Sequence, residues 1–555
     1  MSARFNIKAA DPEAVACLQR ELHMPHFIAA TLVSRGIDTP EAANRFLSPS
    51  LDRDWRDPYT IPGLADVADA LEAAIRRGDH ILVFGDFDLD GISATTVMTR
   101  GLRALGATVT PFIPRRFEEG YAITPAAIDR LSQVNPDFLV TVDCGIACKE
   151  EVRLLEQRGI QVAITDHHEP SDLVPEGVPV ADPKCDAACP SAILAGVGVA
   201  LKMVQALGGR FGKPHLWRQF TDFATLGTIA DLMPMRDENR ALVADGLRRI
   251  NQAPRPCIAA LLDTSGASGK QVTATNLSFS IIPRLNAAGR MGDAQLALDL
   301  LLTDDFEQAN QQAQRLESVN DQRRAIEAEL SEIAKAQAAD TYKGQRALVV
   351  AGEGWHEGVK GIVASRLVNT YGVPCLLFTI DGDEARGSGR SVGQVNLFKA
   401  VESCSDLLLR FGGHEAAVGV TLPTEKLPEF ERRLCEYMDA LPEGAFHPLI
   451  TIDACVNLDE LTLRNVAQLD ALAPFGQEHP VPVYLARDVT LLHSRAVGAE
   501  RNHFSCSLSN GRTTVAGIMF HCNDIEALMK TDSVVNAAFE VQIDEWKNRR
   551  SVKAM

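Results

Sequence analysis

The chain has 555 residues, a formal net charge of −18 and an apolar share of 46%. That length exceeds what one hydrophobic core usually supports, so we expect several domains. No apolar run approaches the ~20 residues of a membrane span, and the N-terminus lacks the apolar core of a signal peptide, so we expect a cytoplasmic location. The acidic total excludes a globally basic surface, and any nucleic-acid binding would require a local positive groove.

Three short apolar runs in the first half of the chain predict buried parallel strands. They cover residues 80–84 (HILVF), 138–142 (FLVTV) and 162–165 (VAIT), and none of them alternates apolar and polar positions. Helix-like stretches follow at 92–105 and 149–158. Repeated strand and helix indicate βαβ units, so we predict an α/β domain that binds its ligand beyond the carboxyl ends of the strands.

Acidic and imidazole side chains follow apolar runs in four motifs. These read GDFDLDG (85–91), VTVDCG (140–145), ITDHHE (164–169) and GTIADLMP (227–234). Taken singly, an aspartate after a strand is more often a helix cap or a turn former. Together, carboxylates and imidazoles are the ligand set of paired Mn²⁺ or Mg²⁺ ions, which predicts a metal-dependent phosphoesterase. The candidate residues are Asp88, Asp90, Asp143, His167, His168 and Asp231.

Two other aspartates and the cysteines receive a plainer interpretation. Asp86 is expected to be a turn residue, and Asp166 to orient a histidine. The twelve cysteines include two pairs with C-x-x-x-C spacing, which together could supply four thiolates to zinc. Free thiols in a reducing cytosol are the favoured interpretation, because the other cysteines lie in unrelated segments. The two pairs are Cys144 with Cys148 and Cys185 with Cys189.

Three further regions follow the acidic motifs. Residues 304–339 contain good helix formers without Gly or Pro, which predicts one long helix. A second α/β domain is expected at 341–440, with glycine-rich loops at 387–391 (GSGRS) and 411–414 (FGGH). The first loop could hold a phosphate, although hairpin turns explain such glycines about as often. The last ~110 residues alternate apolar and polar positions, which predicts a small all-β barrel or sandwich.

The motifs resemble those of the DHH phosphoesterase superfamily and, more narrowly, of the RecJ family of single-strand-specific DNA exonucleases. The four acidic motifs identify the superfamily only. The RecJ branch is indicated by FLSPSL (46–51), LAGVGVA (194–200), PRLNAAGRMGDA (283–294), WHEGVKGIVASRL (355–367), GSGRS (387–391), FGGH (411–414) and LAPFG (472–476), in this order.

The resemblance implies an α/β fold with a parallel-sheet catalytic domain and a C-terminal OB-like domain. OB folds bind single strands through basic grooves and stacking aromatics, but this segment contains few aromatics. No additional partner-binding domain is expected after the barrel. The implied order is an N-terminal helical segment at 1–50, a DHH domain at 51–303, a linker helix at 304–340, a DHHA1 domain at 341–440 and an OB-fold-like domain at 445–555.

The resemblance also implies the activity, which is 5′-to-3′ hydrolysis of single-stranded DNA to 5′-mononucleotides with two divalent cations. Asp143 would be shared by both ions. His168 would stabilise phosphoryl charge or assist the leaving group, and His414 would lie near the reaction centre. The implied metal ligands are Asp88, Asp90, Asp143, His167 and Asp231. The implied phosphate contacts are Arg116, Arg284, Asn286, Ser388 and Arg390.

Two alternatives remain open at this point. One is a DHH-family phosphodiesterase that acts on short oligonucleotides or cyclic dinucleotides, and the other is a metal-free DNA-binding scaffold. The oligomeric state is open, although a closed cleft between two domains implies a working monomer. The family further implies cooperation with a single-strand-binding protein and a helicase. The chain departs from the family pattern at Ala122, Lys360, Glu478 and His479, none of which is a proposed metal ligand.

Overall fold

The chain forms two compact units, which we call the terminal unit and the central unit. The computed structural model describes residues 4–522, 525–530, 534–546 and 549–555. The terminal unit consists of Met1–Pro49, His447–Phe475 and His479–Met555. The central unit consists of Ser50–Phe446 and Gly476–Glu478.

The terminal unit begins with one strand and three helices. Asp11 and Thr39 cap the first and third helices with side-chain bonds to backbone amides, and a proline follows each cap. The second helix is apolar and almost entirely buried, and its Phe27 ring meets Tyr484 edge-on at 5.3 Å. The elements are β1 (Arg4–Ile7), α1 (Pro12–Leu22), α2 (His26–Ser34) and α3 (Pro40–Leu47).

The central unit opens with a five-stranded parallel sheet in the order β3-β2-β4-β5-β6. Its inner strands are buried on both faces, which explains their continuous apolar sequences. The strands predicted at 80–84 and 138–142 are confirmed. The elements are α4 (Leu51–Asp54), α5 (Leu64–Arg77), β2 (His80–Phe84), α6 (Leu89–Ala104), β3 (Thr108–Phe112), α7 (Pro125–Leu131), β4 (Phe138–Val142), α8 (Lys149–Gln157), β5 (Gln161–Thr165) and β6 (Val180–Ala181).

A helical region covers this sheet and leads to the second domain. Asp231 follows a helix here, not the strand-like run that the sequence suggested, because a short and fully buried apolar run has no periodicity to distinguish the two. The long helix predicted at 304–339 is confirmed. The elements are α9 (Gly196–Arg210), α10 (Thr221–Ala230), α11 (Asp237–Gln252), α12 (Pro256–Thr264), α13 (Ala274–Asn276), α14 (Ile282–Arg290), α15 (Ala294–Leu302) and α16 (Phe306–Thr341).

The second sheet of the central unit has the order β10-β11-β9-β8-β7, with only β7 and β8 parallel. The segments GSGRS and FGGH, interpreted above as loops, lie in strands: residues 387–390 belong to β9, which ends just before Ser391, and residues 411–414 belong to β10. The glycines of β9 are needed because the rings and branched side chains of neighbouring strands lie over them. The elements are β7 (Leu348–Glu353), α17 (Lys360–Tyr371), β8 (Cys375–Asp381), β9 (Glu384–Arg390), α18 (Leu397–Glu402), β10 (Arg410–His414), β11 (Ala417–Pro423) and α19 (Leu427–Asp439).

The terminal unit is completed by a six-stranded sheet that closes through pairing of β14 with β17. The predicted C-terminal all-β domain is thereby confirmed. Apolar side chains of α1 and α2 share one core with this sheet, so these two helices pack with the C-terminal domain. The elements are β12 (Leu449–Ile452), β13 (Ala454–Cys455), α20 (Leu463–Ala467), β14 (Val483–Val497), β15 (His503–Ser509), β16 (Thr514–Met519), α21 (Ile525–Met529), β17 (Val535–Trp546) and β18 (Arg549–Ala554).

In the part of the chain that the structure describes, no helix combines the length and the apolar character that crossing a bilayer requires.

Candidate metal centre

The aspartates of GDFDLDG lie between β2 and the first turn of α6. Asp88 caps this helix, because its Oδ1 accepts hydrogen bonds from the amides of Asp90 at 2.9 Å and Gly91 at 3.1 Å. Gly91 is required by a close approach, since a Cβ atom there would lie 2.6 Å from the backbone nitrogen of Asp86. The loop is therefore held tightly against the start of its own helix.

Asp90 is buried, and the start of α9 fixes its carboxylate. Oδ2 accepts from the amide of Gly196 at 2.7 Å, and Oδ1 accepts from the amide of Val197 at 3.0 Å. A Cβ atom on Gly196 would lie only 2.4 Å from Oδ1 of Asp143. The N-terminus of α9 thus orients one acidic side chain and fits closely against a second.

His167 brings three carboxylates together. Its Nε2 lies 3.0 Å from Oδ1 of Asp143 and 3.7 Å from Oδ2 of both Asp90 and Asp231. Among the described residues, no hydrogen-bond donor satisfies Oδ1 of Asp143 or Oδ2 of Asp231. Buried oxygen atoms without donors are costly unless a cation is bound, so the geometry fits a metal site.

The pKa values in this cluster reflect burial and mutual repulsion. Burial, followed by the charges of neighbouring carboxylates, raises the pKa of both Asp90 and Asp143 well above the ordinary range. Burial lowers the pKa of His167 to about 3, which leaves its imidazole in the neutral form that coordinates metals. The cluster is therefore poorly satisfied by the protein alone, and divalent cations would relieve the repulsion.

Asp166 orients His168, the role that the sequence analysis gave it. Its Oδ1 lies 2.8 Å from Nδ1 of His168 and accepts from the amide of His167 at 2.7 Å, while Oδ2 accepts from Ile146 at 2.9 Å. Burial lowers the pKa of His168, but the bond to Asp166 and the surrounding carboxylates raise it, with a net result of about 9. With Nδ1 held by Asp166, Nε2 is the atom left to act on a substrate.

Ligand atoms converge in three overlapping groups, and Asp143 belongs to two of them. Asp86 joins one group, so it is a candidate ligand and not merely the turn residue expected from the sequence. Its place in the repeated aspartate spacing of GDFDLDG is the sequence signal for this role. In the described ranges, none of these groups includes a cysteine. Within each group the atoms lie within 4.8 Å of one another, and the groups are Asp143, His167 and His168; Asp90, His167 and Asp231; and Asp86, Asp88 and Asp143.

Arginine side chains lie beside the acidic cluster. Arg116 stacks its guanidinium over the Phe87 ring at 4.8 Å. Burial lowers the pKa of Arg290 to about 10, and the nearby guanidinium groups of Arg116, Arg323 and Arg390 contribute to the lowering. Sequence reasoning missed Arg290 and Arg323, because these four arginines are far apart along the chain. In this arginine cluster, Arg323 is paired with Glu327. The positive charge beside the acidic cluster therefore comes from the half-buried Arg116, Arg290 and Arg390.

The remaining predicted phosphate residues lie in different surroundings. Oγ of Ser388 lies 3.5 Å from Nη1 of Arg390 on the same strand. Arg284 instead pairs with Glu317 of α16, with Nη2 and Oε1 3.1 Å apart. Asn286 accepts from the amide of Leu89 through Oδ1 at 3.1 Å, which anchors the start of α6.

His414 ends the exposed edge strand β10. None of the groups of converging ligand atoms found among the described residues includes His414. The structure thus brings the five predicted metal ligands and His168 together, but it does not bring His414 to them.

Two of the four residues that depart from the family pattern form ion pairs, and a third has an unusual backbone angle. Ala122 adopts a φ of 59°, the left-handed region in which glycine is favoured. Lys360 is almost fully buried and pairs with Glu357 at 2.8 Å. Glu478 pairs with Arg236 at 2.9 Å. These contacts show how polar residues are accommodated at two of the departing positions.

Comparisons with known proteins place this geometry in a family. Three domain families match the chain: the DHH family N-terminal domain at 80–228, the DHHA1 domain at 344–440 and the RecJ OB domain at 452–555. The single-stranded-DNA-specific exonuclease RecJ of Bacillus subtilis is 34% identical over 100% of this chain and 70% of its own length. The chain belongs to the RecJ family of exonucleases.

Two solved RecJ structures support the same assignment. The crystal structure of RecJ from Thermus thermophilus in complex with Mn²⁺ has a TM-score of 0.84 at 29% identity, and the match covers 99% of this chain and 78% of that one. The corresponding complex with Mg²⁺ has a TM-score of 0.79 at 27% identity, with coverage of 99% and 77%. The chain is therefore a metal-dependent exonuclease whose cofactors are divalent cations of the Mn²⁺ and Mg²⁺ class.

Proposed function

We propose that this RecJ-family enzyme degrades single-stranded DNA from the 5′ end and releases 5′-mononucleotides. The observation that carries the proposal is the convergence of three overlapping cation-ligand groups beside the arginine cluster. Carboxylates bind the cations that phosphodiester hydrolysis requires, and guanidinium groups bind the phosphates of the strand. The 5′-to-3′ polarity rests on the family resemblance.

The ligand groups suggest two separate cation sites that share one residue. We assign Asp143 to both sites, because it is the residue that links the group of Asp86 and Asp88 to a group that contains His167. When bound, a pair of divalent cations stabilises the developing phosphoryl charge and acidifies the attacking water. The protein contributes orientation, since the cap at Asp88 and the α9 amides at Asp90 hold those carboxylates before any cation binds. The first site would use Asp86, Asp88 and Asp143, and the second Asp90, Asp143, His167 and Asp231.

His168 is proposed to act at the leaving group. Asp166 holds Nδ1, so Nε2 can stabilise the phosphoryl charge or protonate the 3′-oxygen of the departing nucleotide. The bond that breaks joins phosphorus to that oxygen. The departing nucleotide keeps its own 5′-phosphate, and the remaining strand acquires a new one.

The phosphate-binding roles divide between direct and indirect contacts. We propose Arg116, Ser388 and Arg390 as direct contacts to the strand. The ion pair of Arg284 and the hydrogen bond of Asn286 favour roles in holding the central unit together. His414 remains a proposal from the family resemblance.

Cooperation with a single-strand-binding protein and a helicase is proposed on the family resemblance. A cytoplasmic location and a working monomer are proposed from the sequence expectations given above. The small-substrate alternative is disfavoured by the RecJ OB domain matched at 452–555. OB folds track extended single strands, for which a cyclic dinucleotide enzyme has no use.

Digestion of a long DNA single strand labelled separately at each end tests the proposal. With Mn²⁺, we expect early release of 5′-labelled mononucleotide and late release of the 3′ label, while a blunt duplex of the same sequence is spared. Early release of the 3′ label would overturn the polarity. Attack on short oligonucleotides alone would favour the small-substrate alternative, and no hydrolysis with any divalent cation would favour the scaffold.

A further inference from the structure

The orientation of Asp90 depends on a loop that precedes α9. Its carboxylate is held by the amides of Gly196 and Val197, so the loop at 191–195 decides where those amides lie. The space is tight, since a Cβ atom on Gly196 would collide with Asp143. A shift of this loop would therefore move one ligand and press on another.

The first turn of α11 holds that loop at two points. Nδ2 of Asn239 donates to the carbonyl of Ile193 at 2.6 Å. The neighbouring Glu238 accepts from Oγ of Ser191 at 2.6 Å, and is itself bound by the fully buried Lys202. The loop is thus attached to α11 immediately before it delivers the amides that orient Asp90.

Asn239 also holds the segment that carries Asp231. The same Nδ2 donates to the carbonyl of Pro234 at 3.1 Å, three residues after Asp231. Asn239 is fully buried, and its two N–H groups serve one carbonyl each. Turning the amide over would place its oxygen against both carbonyls, so a side chain with two N–H donors is required at this position.

We propose that Asn239 is a positioning residue for the metal centre. One amide joins the loop before α9, whose next two amides orient Asp90, to the segment that carries Asp231, and it acts through them without contacting a cation. The inference deepens the proposed function and rests on its assignment of those two aspartates as ligands. Loss of residues that orient metal ligands typically weakens metal affinity by about 10–100-fold.

The same helix provides a matched control. Nδ2 of Asn251 also donates to two carbonyls, those of Leu247 at 2.8 Å and Val272 at 2.9 Å. It lies twelve residues after Asn239 on α11, or about 18 Å at ~1.5 Å per residue. Asn251 is exposed and also accepts a hydrogen bond from the amide of Val272 at 2.7 Å through its Oδ1. Asn251→Leu therefore removes at least as many hydrogen bonds from α11 as Asn239→Leu does, at a position where no candidate ligand is held.

The test is calorimetric titration of Mn²⁺ into the metal-free full-length chain, with thermal unfolding of the same samples. We expect Asn239→Leu to weaken Mn²⁺ binding about 10–100-fold at one of two sites, and Asn251→Leu to leave both sites unchanged. Excess Mn²⁺ should restore most of the turnover of Asn239→Leu, with an unchanged KM for DNA. Asn239→Ser is smaller and keeps one donor, so it replaces the leucine variant if that variant does not fold, and we expect a weaker Mn²⁺ affinity for it as well.

Two outcomes would overturn the inference. The first is that the folded Asn239 variant binds Mn²⁺ with wild-type affinity. The second is that the Asn239 and Asn251 variants lose Mn²⁺ affinity equally, in proportion to their loss of thermal stability. A wild-type protein that binds two Mn²⁺ ions but digests no single-stranded DNA would refute the proposed function, while the binding comparison would still decide the role of Asn239.

Discussion

The two sheets of the central unit use glycine and polar residues in opposite ways. In the parallel sheet, the glycines that matter lie outside the strands, where Gly91 and Gly196 allow the backbone to approach Asp86 and Asp143. In the mixed sheet the glycines lie inside β9 and alternate with Ser388 and Arg390. Parallel strands thus present chemistry at their ends, whereas this antiparallel strand presents it on one face.

The electrostatic character of the two regions differs as well. The strand ends of the parallel sheet collect carboxylates whose raised pKa values show burial and mutual repulsion, as at Asp90 and Asp143. Near the mixed sheet, burial and the repulsion of neighbouring guanidinium groups lower the pKa of Arg290. The carboxylates need cations to offset their charge, and in the part of the chain that the structure describes only Arg323 of the arginine cluster has an ion-pair partner, Glu327. A net charge of −18 is therefore compatible with binding a polyanion.

The largest effect on the rate of DNA hydrolysis is expected from Asp143→Asn, among the carboxylates at the strand ends of the parallel sheet. Asparagine tolerates the left-handed backbone that Asp143 adopts, with a φ of 61°, so the change removes charge with little strain. Loss of a residue that only orients a metal ligand typically lowers activity by up to about 10²-fold. Because Asp143 is itself a proposed ligand, we expect the rate of DNA hydrolysis to fall by more than that. Rates on labelled single strands with saturating Mn²⁺ measure this.

Thermal unfolding in EDTA provides the control for that variant. Because burial and neighbouring carboxylates raise the pKa of Asp143, its loss relieves repulsion in the metal-free protein. The variant should therefore unfold at the same or a higher temperature than the wild type. Retained Mn²⁺-dependent hydrolysis by the folded variant would refute the role of Asp143.

A smaller effect, on the affinity for single-stranded DNA, is expected from Arg390→Gln in the arginine cluster. Hydrogen bonds to charged groups contribute about 1.5–3 kcal/mol, so the Kd for single-stranded DNA should rise by about 10–150-fold while Mn²⁺ affinity is unchanged. Fluorescence anisotropy in the Asp143→Asn background measures binding without digestion. Arg432→Gln is the matched control, because Arg432 already pairs with Glu429 and Glu436 on α19. Equal losses in the two variants would mean that only general charge matters.

The glycines of β9 give a third, structural test. A Cβ atom on Gly389 would lie 2.7 Å from Cγ2 of Val418 and 2.9 Å from Cγ of Leu376. Gly389→Ala should therefore lower the free energy of unfolding by about 1–3 kcal/mol through overpacking. Adding Val418→Ala should recover part of that loss in urea titrations. If Gly389→Ala keeps its stability but loses DNA binding, the result would instead support the interpretation that GSGRS binds a phosphate.

Much of the parallel sheet could be predicted because its signal is local. Buried parallel strands are continuous apolar runs, and the strands at 80–84 and 138–142 are found where those runs lie. Residues after such strands meet at one edge of the sheet, so Asp143 and His167 could be brought together from sequence alone. The helix before Asp231 could not be recognised, because a short buried apolar run is compatible with both structures.

The rest of the site depends on long-range packing that no local pattern encodes. Asp86 is a ligand candidate only because a tight turn buries its carboxylate beside Asp143. Arg290 meets Arg116 and Arg390 through the packing of α14 against the second domain, where its guanidinium donates to the carbonyl of Gly358 at 3.2 Å. The glycines of β9 looked like a loop because their packing partners lie on other strands.

The smallest effect is expected from the cysteines that suggested a zinc site. Cys185 is exposed, whereas Cys189 is buried with its thiol donating to the carbonyl of Thr60 at 3.4 Å, a bond that serine can also make. We expect the Cys185→Ser/Cys189→Ser double variant to keep its Mn²⁺ affinity, its DNA hydrolysis and its thermal stability, with no zinc detected by metal analysis of either protein. Zinc bound by the wild type and lost from the variant would restore the thiolate site. It would also break the contrast between the two sheets, because a second kind of metal would then lie in the loop that follows the parallel strands.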